Sequence, residues 1–588
     1  MRSDVEHIEV RAGSSRAETL VIHHARIFDG LEVLDADAVA IVEGTVVALG
    51  NSSDILENHA PHGIQSVDAH GALLTPGFID AHVHAVFGGM ERLGCDLSEA
   101  VGAPEALRLV ADYAKQTAGV DGWISGGGWT MSDFPGGAPL ATDLDAIIAD
   151  RAVFLMSRDH HSAWVNSLAL RRAGITGATP DPSGGRIERD TAGNPTGTLH
   201  EAALDLVAEL LPEESPEQLR RGLLEGQAYL HSLGITGWQD AIVGNYSGHA
   251  DPYGTYRQAD TDGELSAEVV GALWWPREAT DIDAQVHSLL LKSRQDGNRF
   301  RATSVKFMLD GIIESQTAAM AEPYHSCGCP GSGTGLNYFD PDFLAAAITA
   351  VDAAGLDIHL HAIGDRAVSQ GLDAFAAARR ANPGSTGRHH MAHLQVVNPR
   401  DLKRFAALNI TANIQALWAC NDQAMAELTV PVLGPERSAW QYPFKALLQA
   451  GAPLAMGSDW PVSTPDPWQG IHTAVTRTEA GGPGTDPALD PGQGLGLLDA
   501  LRAYTSGSAR LNRAEATGRI MVGARANMAL ADRDPFAAPM QELSLVANLL
   551  TIADGRLVHD ARPPTKPESP AASVDARSPM STPTEGAA

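Results

Sequence analysis

The stretch Thr75–Gly88, TPGFIDAHVHAVFG, decides how the rest of the chain is read. A Pro-Gly turn opens an apolar run, Phe78 to Val86, that carries Asp80, His82 and His84. Alternate residues of a β-strand face the same way, so these three share one face while Ile79, Ala81 and Val83 fill the other. Apolar side chains on the second face are expected of a strand inside a barrel with helices packed outside it. Two imidazoles on successive same-side positions at a strand end suit a divalent metal, because neutral imidazole is a good zinc ligand. A chance His-x-His is the alternative, so the rest of the chain has to supply further ligands.

At 588 residues the chain is long enough for a large barrel and a satellite domain. A formal charge of −30 disfavours nucleic acid and anionic membrane as partners, since both select basic surfaces. Four cysteines, Cys95, Cys327, Cys329 and Cys420, are too few and scattered for a disulfide framework, and the Cys327–Cys329 spacing is not that of a zinc knuckle. The expected compartment is a reducing cytoplasm. No signal-peptide pattern opens the chain, and no apolar run is long enough to span a bilayer.

Residues 1–18 are polar and expected to be flexible. Residues 19–72 alternate in the manner of strands, with Asp-Gly and Glu-Gly turns, and the pattern returns over 514–562. One β-sandwich built from both chain ends is the expectation. Between them, residues 73–513 alternate short apolar strands with Ala- and Leu-rich helices, the pattern of a parallel α/β barrel. An insertion over about 95–230 interrupts it. There, the glycine-rich WISGGGW of Trp123–Trp129 reads as a close-packed loop near the site, and the punctuated segment 159–202 as a lid or substrate wall. Residues 563–588 form a Pro/Ser/Ala/Thr tail expected to be disordered.

Four later strand ends carry groups able to complete a site. In SVKFMLDG, Lys306 is costly to bury charged. Two readings stay open: it pairs with Asp310 or Asp459, or it stays neutral and is carboxylated by CO2 into a metal-bridging anion. In DIHLHAIGD, His361 lies nearest the strand end, where barrel active sites assemble, and His359 reads as its buried, hydrogen-bonded neighbour. In RHHMAHLQ, His393 is the candidate ligand and His390 is expected on the opposite face. In APLAMGSDWPV, Asp459 follows a small apolar strand, as ligand or as turn cap. Trp129, Trp164, Trp418, Trp460 and Tyr324 are candidate walls for a bulky apolar substituent, with ordinary packing expected for about half of them, and His161 could contact a carbonyl oxygen or fix the lid.

PGFIDAHVH, SVKFMLDG, HAIGD, the His393 strand, YPFKALLQAG and GSDWPV, with DHHSAWVNSLAL, PSGGRIERD and PTGTLHE, resemble the amidohydrolase superfamily. The likeness is to its YtcJ-like branch, which includes N-substituted formamide deformylases, and it spans about Ala25 to Asp560. One departure is Ala526-Asn527, where members commonly carry Ala-Asp. The resemblance implies a distorted (β/α)8 TIM barrel with a β-sandwich from both termini, and a zinc-type hydrolase. His82 and His84 would hold one ion with Asp459; His361 and His393 would hold a second or complete the first. Asp459 would move the proton of a metal-activated water. The expected partner is a small-molecule substrate, an amide with a hydrophobic N-substituent, and a homodimer is the base-rate expectation for assembly. Deamination of a heterocycle and hydrolysis of a carbamate or cyclic amide use the same groups. A catalytically dead scaffold is disfavoured because all six ligand positions are filled.

Overall fold

The computed structural model describes residues 19–60, 64–119, 122–246, 249–295, 297–325, 333–481 and 487–562. The expectations for the flexible N-terminus, the disordered tail, Cys327 and Cys329 lie outside these residues. Eight parallel strands form the central sheet: β1 (Phe78–Val83), β2 (Ile235–Val243), β3 (Glu268–Trp274), β4 (Phe300–Met308), β5 (Asp357–Ala362), β6 (His390–His393), β7 (Thr411–Ile414) and β8 (Leu454–Met456). Each pairs with its sequence neighbour, from β1 round to β8. The seam between β8 and β1 is bridged by other means. The Asn413 amide donates to Ala81 O at 2.8 Å, and the Ser458 N–H donates to the Asp80 carboxylate at 3.0 Å. Asp459 N–H donates to His82 O at 2.7 Å, which presses the loop after β8 against the end of β1. Asp80 therefore serves the closure of this distorted TIM barrel.

Strands β1, β2 and β5 are buried along their whole length, as strands covered on both faces must be. The covering helices carry conventional start signals. Pro216–Ser232 begins at Ser215 with a capping box closed by Gln218 and Pro216 in the first turn. Its Leu219, Leu223 and Leu230 join the main core, so this helix belongs to the barrel wall, and the insertion ends before it rather than near residue 230.

The insertion is a domain with its own core. Its six-stranded sheet runs, edge to edge, Gly185–Arg189, Pro195–Glu201, Ser162–Val165, Ala152–Ser157, Trp123–Trp129 and Cys95–Asp96. The WISGGGW segment is thus a strand, not a loop. Its glycines serve close backbone approach: a Cβ on Gly126 would lie 2.2 Å from Cys95 O, and one on Gly128, at φ +98°, 2.6 Å from Ser98 N. Segment 159–202 likewise supplies three strands of this sheet, and its first residues, Asp159, His160 and His161, form part of the wall of the barrel-mouth cavity.

Both chain ends build the sandwich. One sheet contains Thr19–His23, Ala38–Val42, Thr45–Gly50 and Gln65–Asp68; the other joins Arg26–Ile27 and Leu73–Pro76 to Met528–Ala531, Asn548–Ala553 and Arg556–Asp560. Leu73–Pro76 pairs antiparallel with Met528–Ala531, which moves the barrel boundary from residue 73 to Gly77. Leu20, Ile22, Val39 and Val46 pack with Met528, Leu530, Leu550 and Ile552 in one core. Positive φ at both residues of Glu43-Gly44 and Asp554-Gly555 matches tight hairpin turns. Asn527 Oδ1 accepts from Asp554 N–H at 2.8 Å, a role Asp would also fill. Among the described residues no helix is long and apolar enough to cross a membrane. Cys95 and Cys420 are free and buried.

Candidate active site

The C-terminal mouth of the barrel gathers His82, His84, Lys306, His361, His393 and Asp459 around one cavity of about 570 Å3. His82 Nε2 and His84 Nε2 converge on the same carboxylate oxygen, Asp459 Oδ1, at 3.3 and 3.1 Å. His393 Nδ1 approaches Asp459 Oδ2 at 3.8 Å, and His82, His393 and Asp459 each offer a ligand atom within 4.8 Å of the others. The His361 ring lies 4.4 Å from that of His393. Local backbone geometry explains the convergence. His393 has φ +76° and Asp459 φ +59°, and such turns at strand ends swing side chains off the strand's regular alternation.

The same turn corrects the reading of His390. Its ring packs 4.1 Å from that of His359, inside the barrel, instead of facing the opposite side. His359 lies one layer below the site, with its Nε2 2.9 Å from His82 Nδ1. For His82 Nε2 to present a lone pair to an ion, Nδ1 must carry the proton and donate to His359. His361 Nε2 lies 3.3 Å from Gly311 O, which leaves Nδ1 as its lone-pair nitrogen.

Burial and the Lys306 charge push His82 down to about 3, and burial holds His84, His361 and His393 below the ordinary imidazole range. All four are neutral at pH 7, as metal ligation requires. Burial opposes ionisation of Asp459, but the charge and hydrogen bond of His82, then His84 and His393, hold its carboxyl well below the carboxylate range. Burial lowers Lys306 to about 7 against the pull of Asp459. Its Nζ stands 3.5 Å from His82 Nε2. Pairing with Asp310 is not what the structure shows, because that carboxylate accepts the backbone N–H groups of Ala319, Ile363 and Gly364 at 2.9, 3.0 and 2.8 Å.

The donor set fits a divalent ion. His393 Nδ1 is buried with no hydrogen-bond partner 3.8 Å from Asp459 Oδ2, and Asp459 Oδ1 has the Nε2 atoms of His82 and His84 beside it, a buried donor set that an electropositive group would satisfy. Neutral imidazoles with a carboxylate are the ligands zinc selects.

Three aromatic assignments fail. Trp129 and Trp164 are fully buried in the core of the inserted domain, donating to Leu155 O and Leu140 O at 2.8 and 2.9 Å. Tyr324 is buried beside Ile313, Met320 and Leu433, with its hydroxyl donating to Ala318 O at 2.8 Å. Trp418 and Trp460 do line the cavity, with Phe87, Met308 and Ile312, and Trp418 stacks on His393 at 5.2 Å.

His161 reaches the cavity from the inserted domain, its ring 5.7 Å from that of His361. Its Nδ1 bonds Glu201 Oε1 at 2.8 Å, and Glu201 also accepts from Thr317 Oγ1 and Tyr338 OH, each at 2.9 Å. Burial would lower the imidazole's pKa, but the charge and hydrogen bond of Glu201 outweigh it and raise His161 to about 9. The pair is therefore ionic at neutral pH. Glu201 and the adjacent pair His160 Nε2–Glu91 Oε1, at 3.0 Å, were not foreseen from the sequence. The signal available was slight: a glutamate closing a strand, 40 residues from its partner.

The amidohydrolase family model matches residues 65–559, most of the chain. The chain belongs to the amidohydrolase family. This amidohydrolase is 29% identical over 542 residues to a putative amidohydrolase, YtcJ, of Bacillus subtilis, covering 92% of this chain and 99% of that one. It is 26% identical over 552 residues to the N-substituted formamide deformylase of Arthrobacter pascens, covering 89% and 95%. Among solved structures, an uncharacterized metal-dependent hydrolase from Pyrococcus furiosus superposes with a TM-score of 0.66 at 27% identity, covering 88% of this chain and 99% of that one. The chain is thus a hydrolase of the kind that acts on carbon–nitrogen bonds outside peptides.

Proposed function

We propose that this amidohydrolase uses one or two divalent ions of the zinc class to hydrolyse an N-substituted amide, with a formyl or small acyl group and a hydrophobic N-substituent. The observation that carries the reading is the convergence of His82, His84, His393 and Asp459 beneath a cavity whose wall includes Phe87, Met308, Ile312, Trp418 and Trp460. The similarity to the deformylase supports the choice of bond. A divalent ion held by these residues would bring the pKa of bound water toward about 7 and would polarise a carbonyl.

The chain's own residues supply the rest. Asp459, ionised and pointing at the ligand imidazoles, accepts the proton of the attacking water and delivers it to the departing amine nitrogen. His161, held as imidazolium by Glu201, donates to the carbonyl oxygen and stabilises charge developing there. Phe87, Met308, Ile312, Trp418 and Trp460 take the substituent. An ammonium on Lys306 would repel an ion bound beside His82, so with the site loaded the amine would be neutral, or would have added CO2 and lost a proton to solvent to become an anionic carbamate.

The test is a screen of N-alkyl and N-aryl formamides and acylamides on metal-loaded protein, scoring carboxylate and free amine against ammonia. Release of amine with formate or another carboxylate is expected. Ammonia from heterocyclic amines, with no amide turnover, would replace this reading with deamination.

A further inference from the structure

A second cluster of ligating side chains lies in the sandwich, outside the barrel. The parallel strands Thr19–His23 and Gln65–Asp68 end together, with His23 opposite Asp68 in register. His23 Nδ1 stands 3.1 Å from His24 Nδ1, and His24 Nδ1 stands 3.1 Å from Asp68 Oδ2. His70 adds its Nδ1 at 3.3 Å from Asp68 Oδ1. The three atoms contributed by His23, His24 and Asp68 all fall within 4.8 Å of one another.

The spacing is that of ligands on one ion. Bonds of about 2.0–2.1 Å to a tetrahedral zinc put neighbouring ligand atoms about 3.3 Å apart. Without an ion the arrangement is poorly satisfied: His24 Nδ1 faces both His23 Nδ1 and Asp68 Oδ2, and as one nitrogen of a neutral imidazole it cannot accept from the first and donate to the second. His24 and His70 both sit at φ +51°, a left-handed conformation that few non-Gly residues adopt but in which His, like Asn and Asp, is enriched. Those turns are pinned by Ala69 N–H donating to His23 O at 2.8 Å, Gly71 N–H to His24 O at 2.6 Å, and His24 N–H to Ser52 Oγ at 2.8 Å. The cluster is therefore an ordered feature of two strand ends.

We infer that His23, His24 and Asp68 form a second divalent-metal site of the zinc class, with His70 or water as fourth ligand. The bound ion clamps the ends of these two parallel sandwich strands together. Side chains here are exposed, 53% for His24 and 84% for His70, so this ion exchanges with solvent and is stripped before one at the barrel mouth. The inference stands independently of the reaction proposed above.

The experiment is calorimetric titration with Zn2+ of the full chain, its barrel site loaded and loose metal removed by a brief chelator wash. The double variant His24→Ala/Asp68→Asn is run in parallel. The wild type should take up one equivalent that the double variant does not, and Zn2+ should raise the thermal midpoint of the wild type alone. Hydrolytic activity of the loaded proteins should be equal. Should the double variant fold poorly, His24→Gln, which keeps size and polarity, should weaken the same equivalent at least tenfold. Equal uptake by wild type and variants, or no uptake by the wild type, overturns the assignment.

Discussion

Replacing Glu201 by Gln removes the charge that keeps His161 protonated while leaving an oxygen and an NH2 to bond Thr317 and Tyr338. The pairing lifts the imidazole from an ordinary 6.5 to about 9. At about 1.4 kcal/mol per pH unit this corresponds to roughly 3 kcal/mol favouring the imidazolium. In Glu201→Gln that term disappears and burial, which disfavours the charge, takes over, so the group should titrate below 6.5. If His161 donates to the substrate carbonyl as imidazolium, kcat/KM of wild type falls with rising pH through about 9. The alkaline limb of the variant should move down by at least two pH units, with kcat reduced about 10^2-fold at pH 8. The assay is the pH profile of kcat/KM on the best amide from the screen. An unmoved alkaline limb would show that His161 does not act as a cation. The linkage has a stability counterpart. Because the folded pKa lies above the unfolded one, the His161 contribution is full below pH 6.5 and is lost as pH rises through about 9.

Asp459→Asn should lower kcat about 10^2- to 10^4-fold while most bound metal survives, read by steady-state kinetics beside elemental analysis. Trp418→Ala should raise KM for bulky N-substituents much more than for small ones. Trp164→Ala should leave that preference unchanged yet cost about 3–5 kcal/mol in chemical denaturation, since its indole fills the core of the inserted domain. Gly457→Ala should open the barrel seam: the added Cβ would lie 2.5 Å from His82 N and 2.8 Å from Asp80 Oδ1, and the expected readouts are lost metal and a lowered thermal midpoint.

The barrel and the gathering of polar groups at its mouth were legible because both follow from local pattern. Buried parallel strands read as apolar runs, and active-site groups of such barrels sit at strand ends, so His82, His84, Lys306, His361, His393 and Asp459 could be expected around one mouth, where the structure gathers them. Where alternation breaks, the reading broke with it. Positive φ at His393 upset the inward-outward count over β6 and misplaced His390. Trp129, Trp164 and Tyr324 were misread because a tryptophan in a glycine-rich strand and one in a cavity wall look alike until the tertiary neighbours are known. The His161–Glu201 pair and the His23–Asp68 cluster each join residues about 40 apart through strand pairing, a relation that no local period encodes.

The measurement closest to the central claim is elemental analysis of the purified chain, with the sandwich cluster disabled by His24→Ala, against the same protein carrying His82→Ala and His393→Ala. The account predicts one or two equivalents of divalent metal in the first and, in the second, loss of that metal together with amide hydrolysis. A first protein that turns over amides with no bound metal, or a second that keeps its full complement, would contradict it.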